Sequence, residues 1–161
     1  MEFMEVIRER RSIRKYKDDP VPDDALKEIL TAGQLAPSGA NRQPWHFIVV
    51  RDPDTKESMD IPEWASRAPV VLAVCGDPEI SGNWYVVDPT IALEHMILAA
   101  ANRGLGTCWV GKLNRDERVK EALGVPDHMH VIAVTPIGYP DESPKPKGRK
   151  KLEEIVHFDG F

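Results

Sequence analysis

The stretch APSGANRQPWHFIVV, residues 36–50, joins an irregular loop directly to a strand. Its first nine residues are rich in Pro, Gly, Ser and Asn, which favour turns over regular structure. The next six, WHFIVV, are mostly β-branched or aromatic, as is typical of a strand. Because a helix must end before Pro37, the same stretch limits the preceding helix, which is predicted over residues 23–34.

On either side of this stretch, the chain alternates apolar runs with helical patterns. Three runs predict further strands: VVLAVC (70–75), TCWVG (107–111) and VIAVTPIG (131–138). Helices are predicted over residues 2–10, in short pieces within 52–69, and over 88–103 and 115–123. Asp88 before Pro89 is a predicted N-cap, and Asn114 with Glu117 resembles a capping box.

This mixture of elements predicts a single α/β or α+β domain covering residues 1–161. No internal repeat, low-complexity linker or domain boundary interrupts it. The helix over 88–103 is apolar on most of its faces, so we expect it to be buried or shared with a second subunit. Dimerisation would then complete a modest core.

Composition weighs against several classes of protein. The formal net charge is −5 and the isoelectric point about 5.5, which disfavours a nucleic-acid-binding protein. The apolar runs are too short to cross a bilayer, and the acidic start MEFMEVIRER does not resemble a secretory signal. Cys75 and Cys108 lie in apolar runs and are expected to be buried, reduced thiols. We therefore expect a cytoplasmic protein without a membrane partner.

Several catalytic motifs are missing. The chain has no G-x-x-x-x-G-K-[ST] phosphate loop and no CxxC, and the G-x-G of residues 104–111 follows a helix instead of a strand. Ser12 and Ser38 lack the surroundings of a nucleophile elbow. His128 and His130 could share one face of an extended segment, but no carboxylate or cysteine stands at ligand spacing beside them. No metal site is predicted.

Two cationic segments stand out in this acidic chain: RERRSIRKY (8–16) and KPKGRKK (145–151). In helical geometry Arg10 and Arg11 would each share a face with Arg14, with Ser12 between them. Guanidinium groups and a small hydroxyl suit a phosphate monoester, because they combine bidentate donors with compact counter-charge. On charge alone, two solvated basic patches are the alternative.

Four segments in this order resemble the flavin-dependent nitroreductase family: RRSIRKY (10–16), APSGANRQPWHFIVV (36–50), RGLGTCWVG (103–111) and KGR (147–149). Together they span nearly the whole chain. The resemblance implies an α+β fold, with a mostly antiparallel sheet of four to five strands flanked by helices and completed by dimerisation. It also implies a homodimer that binds FMN at the subunit interface.

The resemblance also implies site residues for each part of FMN. Arg10, Ser12 and Arg149 match the residues that hold the phosphate, with Arg11 and Lys147 beside them. Arg14 matches a cationic position near N1 and O2 of the isoalloxazine, where it would stabilise the negative charge of reduced flavin.

Two further groups match segments around the ring. One is the loop that a partner subunit lays against the flavin: Pro37, Ser38, Gly39, Asn41 and Gln43. The other is the segment whose backbone N–H groups face N5 and O4: Val110, Gly111 and Lys112. Trp109 flanks that segment or belongs to the core. Trp64, Trp84 and Tyr85 line the open flavin face or simply pack.

The implied activity is an FMN-dependent oxidoreductase. NADH or NADPH would reduce the flavin, and a small-molecule acceptor such as a nitroaromatic or a quinone would then oxidise it, in a ping-pong cycle without a catalytic side chain. Two alternatives remain: other flavin chemistry, such as dehalogenation or flavin breakdown, and a non-catalytic flavin-binding dimer. The helical excursion of larger members after the second strand is here reduced to residues 76–87, and the ring-contacting amide that some members carry has no clear equivalent within residues 58–68.

Overall fold

A five-stranded antiparallel sheet forms the centre of the protein. In this computed structural model, which describes residues 1–161, the strands are β1 (Trp45–Val50), β2 (Val70–Gly76), β3 (Gly106–Thr107), β4 (Val110–Gly111) and β5 (His130–Gly138). They run in the order β1-β2-β5-β3, and β4 also pairs with β5. The α-helices are α1 (Phe3–Glu9), α2 (Asp23–Gln34), α3 (Pro53–Ser58), α4 (Glu63–Ser66), α5 (Val87–Asn102) and α6 (Glu117–Leu123). The predicted α+β class and antiparallel sheet are confirmed.

The two central strands, β2 and β5, are almost entirely buried because helices cover both of their faces. β2 is buried at every position and pairs with β5 from Val70 opposite Ile137 onward. One face packs against α2 and α5, where Ile29, Leu93 and Met96 are almost completely buried. The opposite face packs against the region of α3 and α6, through Met59 and Val119. A strand buried on both faces loses the alternation of polar and apolar residues.

The long apolar helix α5 lies where the sequence predicts it, but its predicted N-cap is wrong. Val86 is the N-cap, and Asp88 lies inside the first turn. The Asp88 carboxylate is buried and accepts a hydrogen bond from the backbone N–H of Gly39, at 3.1 Å. The Asp88 carboxylate thus bonds Gly39, which is distant in sequence, instead of capping its own helix. This hydrogen bond fastens the loop before β1 to α5.

The predicted capping box at Asn114 is also wrong. α6 begins at Glu117 after Asp116, and Asn114 has a left-handed backbone with φ of 63°. The buried carboxylate of Asp116 accepts a hydrogen bond from the N–H of Val131 at 2.8 Å, so it fastens the start of β5. The predicted strand over 107–111 is split, because Cys108 and Trp109 separate β3 from β4.

Both cysteines are free thiols in the interior, as expected. Burial, helped by the nearby charge of Asp116, raises the pKa of Cys75 to about 11. Burial likewise raises the pKa of Cys108, although Arg14 and Ser12 oppose it. Both side chains are therefore protonated at neutral pH and poorly nucleophilic. Each helix is too short or too polar to span a lipid bilayer.

After β5 the chain leaves the core as a C-terminal arm, residues 143–161. Apart from the half-buried Pro144, every residue of the arm is exposed, and its ordered backbone hydrogen bonds are local ones around Leu152–Glu154. Leu152 is 73% exposed and Phe158 is 87% exposed. Large apolar side chains in water on an extended segment are unfavourable in an isolated subunit.

Candidate functional site

The basic segment of residues 8–16 is extended instead of helical after Glu9, so the predicted sharing of a helix face is wrong. α1 ends at Glu9, Ser12 bridges to Thr107 and Tyr16 bridges to Pro140. In an extended chain alternate residues share a side. Arg10, Ser12 and Arg14 therefore share one side, while Ile13 faces the core.

Ile13 anchors this segment to the sheet. Its side chain is buried, and its N–H donates to the carbonyl of Thr107 at 2.8 Å. A Cβ on Gly106 would lie 2.7 Å from the Ile13 side chain, so only glycine allows this contact. Tyr16 adds a second anchor, because its hydroxyl donates to the Ile13 carbonyl, and burial raises its pKa. The polar side chains are thus held outward on a fixed backbone.

These side chains meet the start of the C-terminal arm around one cavity of about 450 Å³. Every charged side chain that lines it is cationic. The cavity brings together six of the predicted site residues: Arg10, Arg11, Ser12, Arg14, Lys147 and Arg149. Arg8 and Lys145 line it too, and sequence reasoning missed them as site residues although both lie inside the two basic segments.

The cations around this cavity have no acidic partner. Elsewhere on the protein arginines form ion pairs, such as Arg51 with Asp23 and Arg103 with Asp24 and Glu28. No ion pair involves an arginine or lysine of the cavity, although the chain carries more acidic than basic residues. Arg149 bonds only the carbonyls of Lys147 and Gly148. Such a concentration of unpaired positive charge favours binding of an anion.

The segment predicted to face a flavin ring lies on β4. The N–H of Lys112 donates to the carbonyl of Ile132 at 3.0 Å, so this N–H is already used in the sheet. The expectation that the Lys112 N–H faces a flavin ring is therefore not met. In an antiparallel ladder the N–H groups of successive residues point in opposite directions, so the N–H of Gly111 faces away from β5. Gly111 is exposed, and a Cβ there would meet only the Trp109 indole at 3.6 Å. Trp109 is itself exposed and does not belong to the core.

The predicted loop before β1 lies apart from the cavity, since none of its residues lines it. Three of its non-glycine residues, Ala40, Asn41 and Gln43, have left-handed backbones with φ between 50° and 54°. The Ser38 hydroxyl accepts from the N–H of Gln43 at 3.0 Å, which closes the loop on itself. Pro37, Ser38, Gly39, Asn41 and Gln43 are all at least partly accessible. Several strained residues in one exposed, well-fastened loop are typical of a functional segment.

The histidines do not converge, but two of them have carboxylate neighbours that the sequence did not reveal. His128 Nε2 lies 3.7 Å from an Asp77 carboxylate oxygen and 3.9 Å from one of Glu79. The expectation that no carboxylate lies beside His128 is therefore wrong. Asp77 and Glu79 are distant from it in sequence, but the pairing of β2 with β5 brings them close to it in the fold. His130 also has a carboxylate neighbour, since its Nδ1 lies 3.9 Å from an Asp116 oxygen, and its ring contacts that of Tyr85 with centroids 5.2 Å apart.

Comparison with known proteins decides the family. The model of the nitroreductase family matches residues 7–62 and 61–139. The chain belongs to the nitroreductase family. It is 39% identical to an Archaeoglobus fulgidus protein named for NADH dehydrogenase and NAD(P)H nitroreductase activities, over 88% of this chain and 87% of the relative. The predicted resemblance and the predicted oxidoreductase class are confirmed.

Further proteins resemble this chain in structure or in sequence. The structure of an FMN-dependent nitroreductase from Clostridium difficile superposes with a TM-score of 0.90 at 33% identity, covering 98% of this chain and 99% of that one. Iodotyrosine deiodinase 1 of Rattus norvegicus is 30% identical over 198 aligned positions, covering 96% of this chain and 68% of the relative. Because this chain has 161 residues, an alignment of 198 positions means that the relative carries insertions that are absent here.

Proposed function

We propose that the protein is an FMN-dependent oxidoreductase that uses NADH or NADPH to reduce nitroaromatic, quinone or related acceptors. The observation that carries the proposal is the cavity lined by unpaired cations from both ends of an acidic chain. Family membership adds support, since similar proteins are named as FMN-dependent or NAD(P)H-dependent enzymes.

The donor set fits FMN at both of its ends. Arg10, Arg11, Ser12, Lys147 and Arg149 offer guanidinium, ammonium and hydroxyl donors to a phosphate, which prefers short charge-assisted hydrogen bonds. Arg14 lines the cavity and lies over Trp64, while Lys112 at the end of β4 bonds the nearby Asp60 carbonyl. We infer that the positive charge of Arg14 continues toward β4, where the outward N–H of Gly111 is a free donor. That N–H and the Arg14 cation suit the polar edge of an isoalloxazine, while Trp109 would flank the ring.

Bound FMN would supply two-electron redox chemistry, with NAD(P)H as the source of the electrons and the acceptor as their destination, each entering the same pocket in turn in a ping-pong cycle. The protein itself would bind FMN, orient its ring and stabilise the negative charge of the reduced flavin. Arg14 holds positive charge where reduced flavin becomes negative, and we assign no general acid or base.

A homodimer completes this proposal. The exposed apolar residues of the C-terminal arm need a covering surface, and Phe3 on α1 is also 68% exposed. A second copy of the chain supplies this covering surface, since the C-terminal arm of each subunit can pack on the other subunit. The strained loop of residues 37–43, which does not reach the cavity of its own subunit, would then lie against the flavin of the partner, giving two sites per dimer.

Dehalogenation is the alternative that a specific observation favours, namely the similarity to iodotyrosine deiodinase 1. The insertions of that relative are missing here. Electron transfer from NAD(P)H to a freely entering acceptor therefore remains the preferred activity.

Titration of the purified apoprotein with FMN and with riboflavin tests the cofactor assignment. Riboflavin has the same ring but lacks the phosphate, so it cannot use the cationic cavity. We expect it to bind at least about tenfold more weakly than FMN, measured by quenching of flavin fluorescence, because at least one charge-assisted contact is lost. Equal affinity for the two flavins would contradict a phosphate site.

The substitution Arg14→Ala separates the ring cation from the phosphate cations. We expect the variant to retain most of its FMN affinity while its flavin midpoint potential falls by about 30 mV, which is a tenfold change for a two-electron couple. The potential is measured by equilibration with a reference dye at saturating FMN. Arg149→Ala is the matched control, expected to weaken FMN binding with little change in potential. An unchanged potential in FMN-saturated Arg14→Ala would refute the role of Arg14.

A further inference from the structure

One segment touches both long cationic side chains of the ring region and has no assigned role. It is the connection from Asp60 to Trp64, which joins α3 to the first turn of α4 and is called here the 60–64 segment. Arg14 and Lys112 approach it from the basic segment and from the end of β4. From the sequence, residues 58–68 offered no clear ring-contacting amide, and Trp64 was left with two alternatives, lining the open flavin face or packing.

The first contact joins Arg14 to the indole of Trp64. The guanidinium carbon of Arg14 lies 5.6 Å from the centroid of the Trp64 ring, within the range of a cation–π interaction. The Arg14 side chain forms no hydrogen bond and no ion pair in the structure, and its residue is exposed. The neighbouring Glu142 carboxylate accepts from the backbone N–H of Arg14 and of Lys15. The cation–π contact with Trp64 therefore takes the place of a hydrogen bond or an ion pair in restraining the guanidinium group.

The second contact ties Lys112 to the same segment. Its Nζ donates to the carbonyl of Asp60 at 2.7 Å. Asp60 has a left-handed backbone, with φ of 49°, a strained conformation for a residue with a side chain. This turn directs the Asp60 carbonyl toward Lys112, so β4 and the 60–64 segment are joined at the edge where Gly111 presents its free N–H.

The 60–64 segment is rigid enough to act as a support. Met59 before it and Ala65 after it are completely buried, and Ile61 packs against the core on the α6 side. Trp64 itself is half-buried. A long flexible cation that lies on a fixed aromatic ring loses much of its rotamer freedom, and stacking of a planar guanidinium leaves its N–H edges available to a ligand.

We propose that Trp64 is a positioning residue, which holds the Arg14 guanidinium toward the flavin ring and thereby sets how much more tightly the protein binds reduced than oxidised FMN. The inference rests on the proposed function. If Trp64 is lost, Arg14 remains in the chain but samples solvent, so its charge is spread over many positions and stabilises the negative ring less. The effect must therefore act through Arg14.

The test compares Trp64→Leu with Trp64→Phe, which keeps an aromatic face. For each variant the affinity of oxidised FMN is measured by fluorescence quenching, and the midpoint potential of the loaded protein by dye equilibration. In Trp64→Leu we expect the ratio of reduced-FMN to oxidised-FMN affinity to fall about fivefold, whereas Trp64→Phe changes it by less than about twofold. Circular dichroism checks folding, and Trp64→Gln replaces Trp64→Leu if the latter does not fold.

The double variant Arg14→Ala/Trp64→Leu decides whether the effect passes through Arg14. We expect it to match Arg14→Ala alone. The inference is overturned if Trp64→Leu leaves the ratio unchanged, or if it lowers the ratio equally with and without Arg14. Failure of the proposed function looks different, because wild-type protein would then not bind FMN at all, whereas failure of this inference alone leaves wild-type binding and the Arg14→Ala effect intact.

Discussion

Replacing Arg10 and Arg149 together with alanine is expected to weaken FMN binding about a thousandfold. The two arginines come from opposite ends of the chain and line the same cavity. Each charge-assisted hydrogen bond to a phosphate contributes about 1.5–3 kcal/mol, and loss of two leaves a dianion with less counter-charge. Equilibrium dialysis or fluorescence quenching at fixed ionic strength measures the change in dissociation constant.

The matched control removes the same charge from paired positions. Arg51 and Arg118 form surface ion pairs with Asp23 and Glu121, away from the cavity. Because exposed ion pairs contribute little to stability, Arg51→Ala/Arg118→Ala should fold and bind FMN with an affinity within about threefold of wild type. If both double variants lose FMN equally, the effect is one of net charge and the cavity is not the phosphate site.

Deletion of residues 152–161 is expected to convert a dimer to monomers. The deletion removes the large apolar side chains that the arm exposes: Leu152, Ile155, Val156, Phe158 and Phe161. It leaves Lys147 and Arg149 in the chain. Burial of one such side chain stabilises an interface by about 1.5–3 kcal/mol, so loss of the set removes most of what would hold two subunits together. Sedimentation equilibrium at micromolar protein measures the mass.

The same deletion should also lower FMN affinity, because the loop of residues 37–43 would no longer be supplied by a partner. Lys150→Ser/Lys151→Ser is the control: it changes the same arm but removes no apolar contact, so the dimer is expected to persist. A truncated chain that remains a dimer with unchanged FMN affinity would show that the arm has no part in assembly.

Regular elements follow closely from the sequence because their determinants are local. α2 spans Asp23–Gln34 as predicted, since its apolar period and the proline at position 37 both lie nearby in the chain. The capping residues could not be predicted in the same way. Asp88 and Asp116 resemble local caps or cap neighbours, but each carboxylate bonds a backbone N–H that lies far away in sequence. Whether such a carboxylate bonds a local or a distant N–H cannot be predicted from the sequence, because it depends on which segments the fold brings together.

In the candidate site, too, some features could be predicted from the sequence and others depend on contacts between distant segments. Arg10, Ser12 and Arg149 could be grouped because the family pattern links both ends of the chain, and the structure places all three around one cavity. The contact of Arg14 with Trp64 had no such guide, since no motif includes residues 58–68. The choice of Gly111 as the outward N–H donor likewise needed the register of β4 on β5.

The central claim is tested most directly by the visible absorption spectrum of the FMN-loaded protein during anaerobic addition of NADH and then, in a second sample, of NADPH. We predict a bound-flavin spectrum that at least one of the two nucleotides bleaches and that a quinone or nitroaromatic acceptor restores. A colourless protein that does not take up added FMN, or bound flavin that neither nucleotide bleaches, would contradict the account.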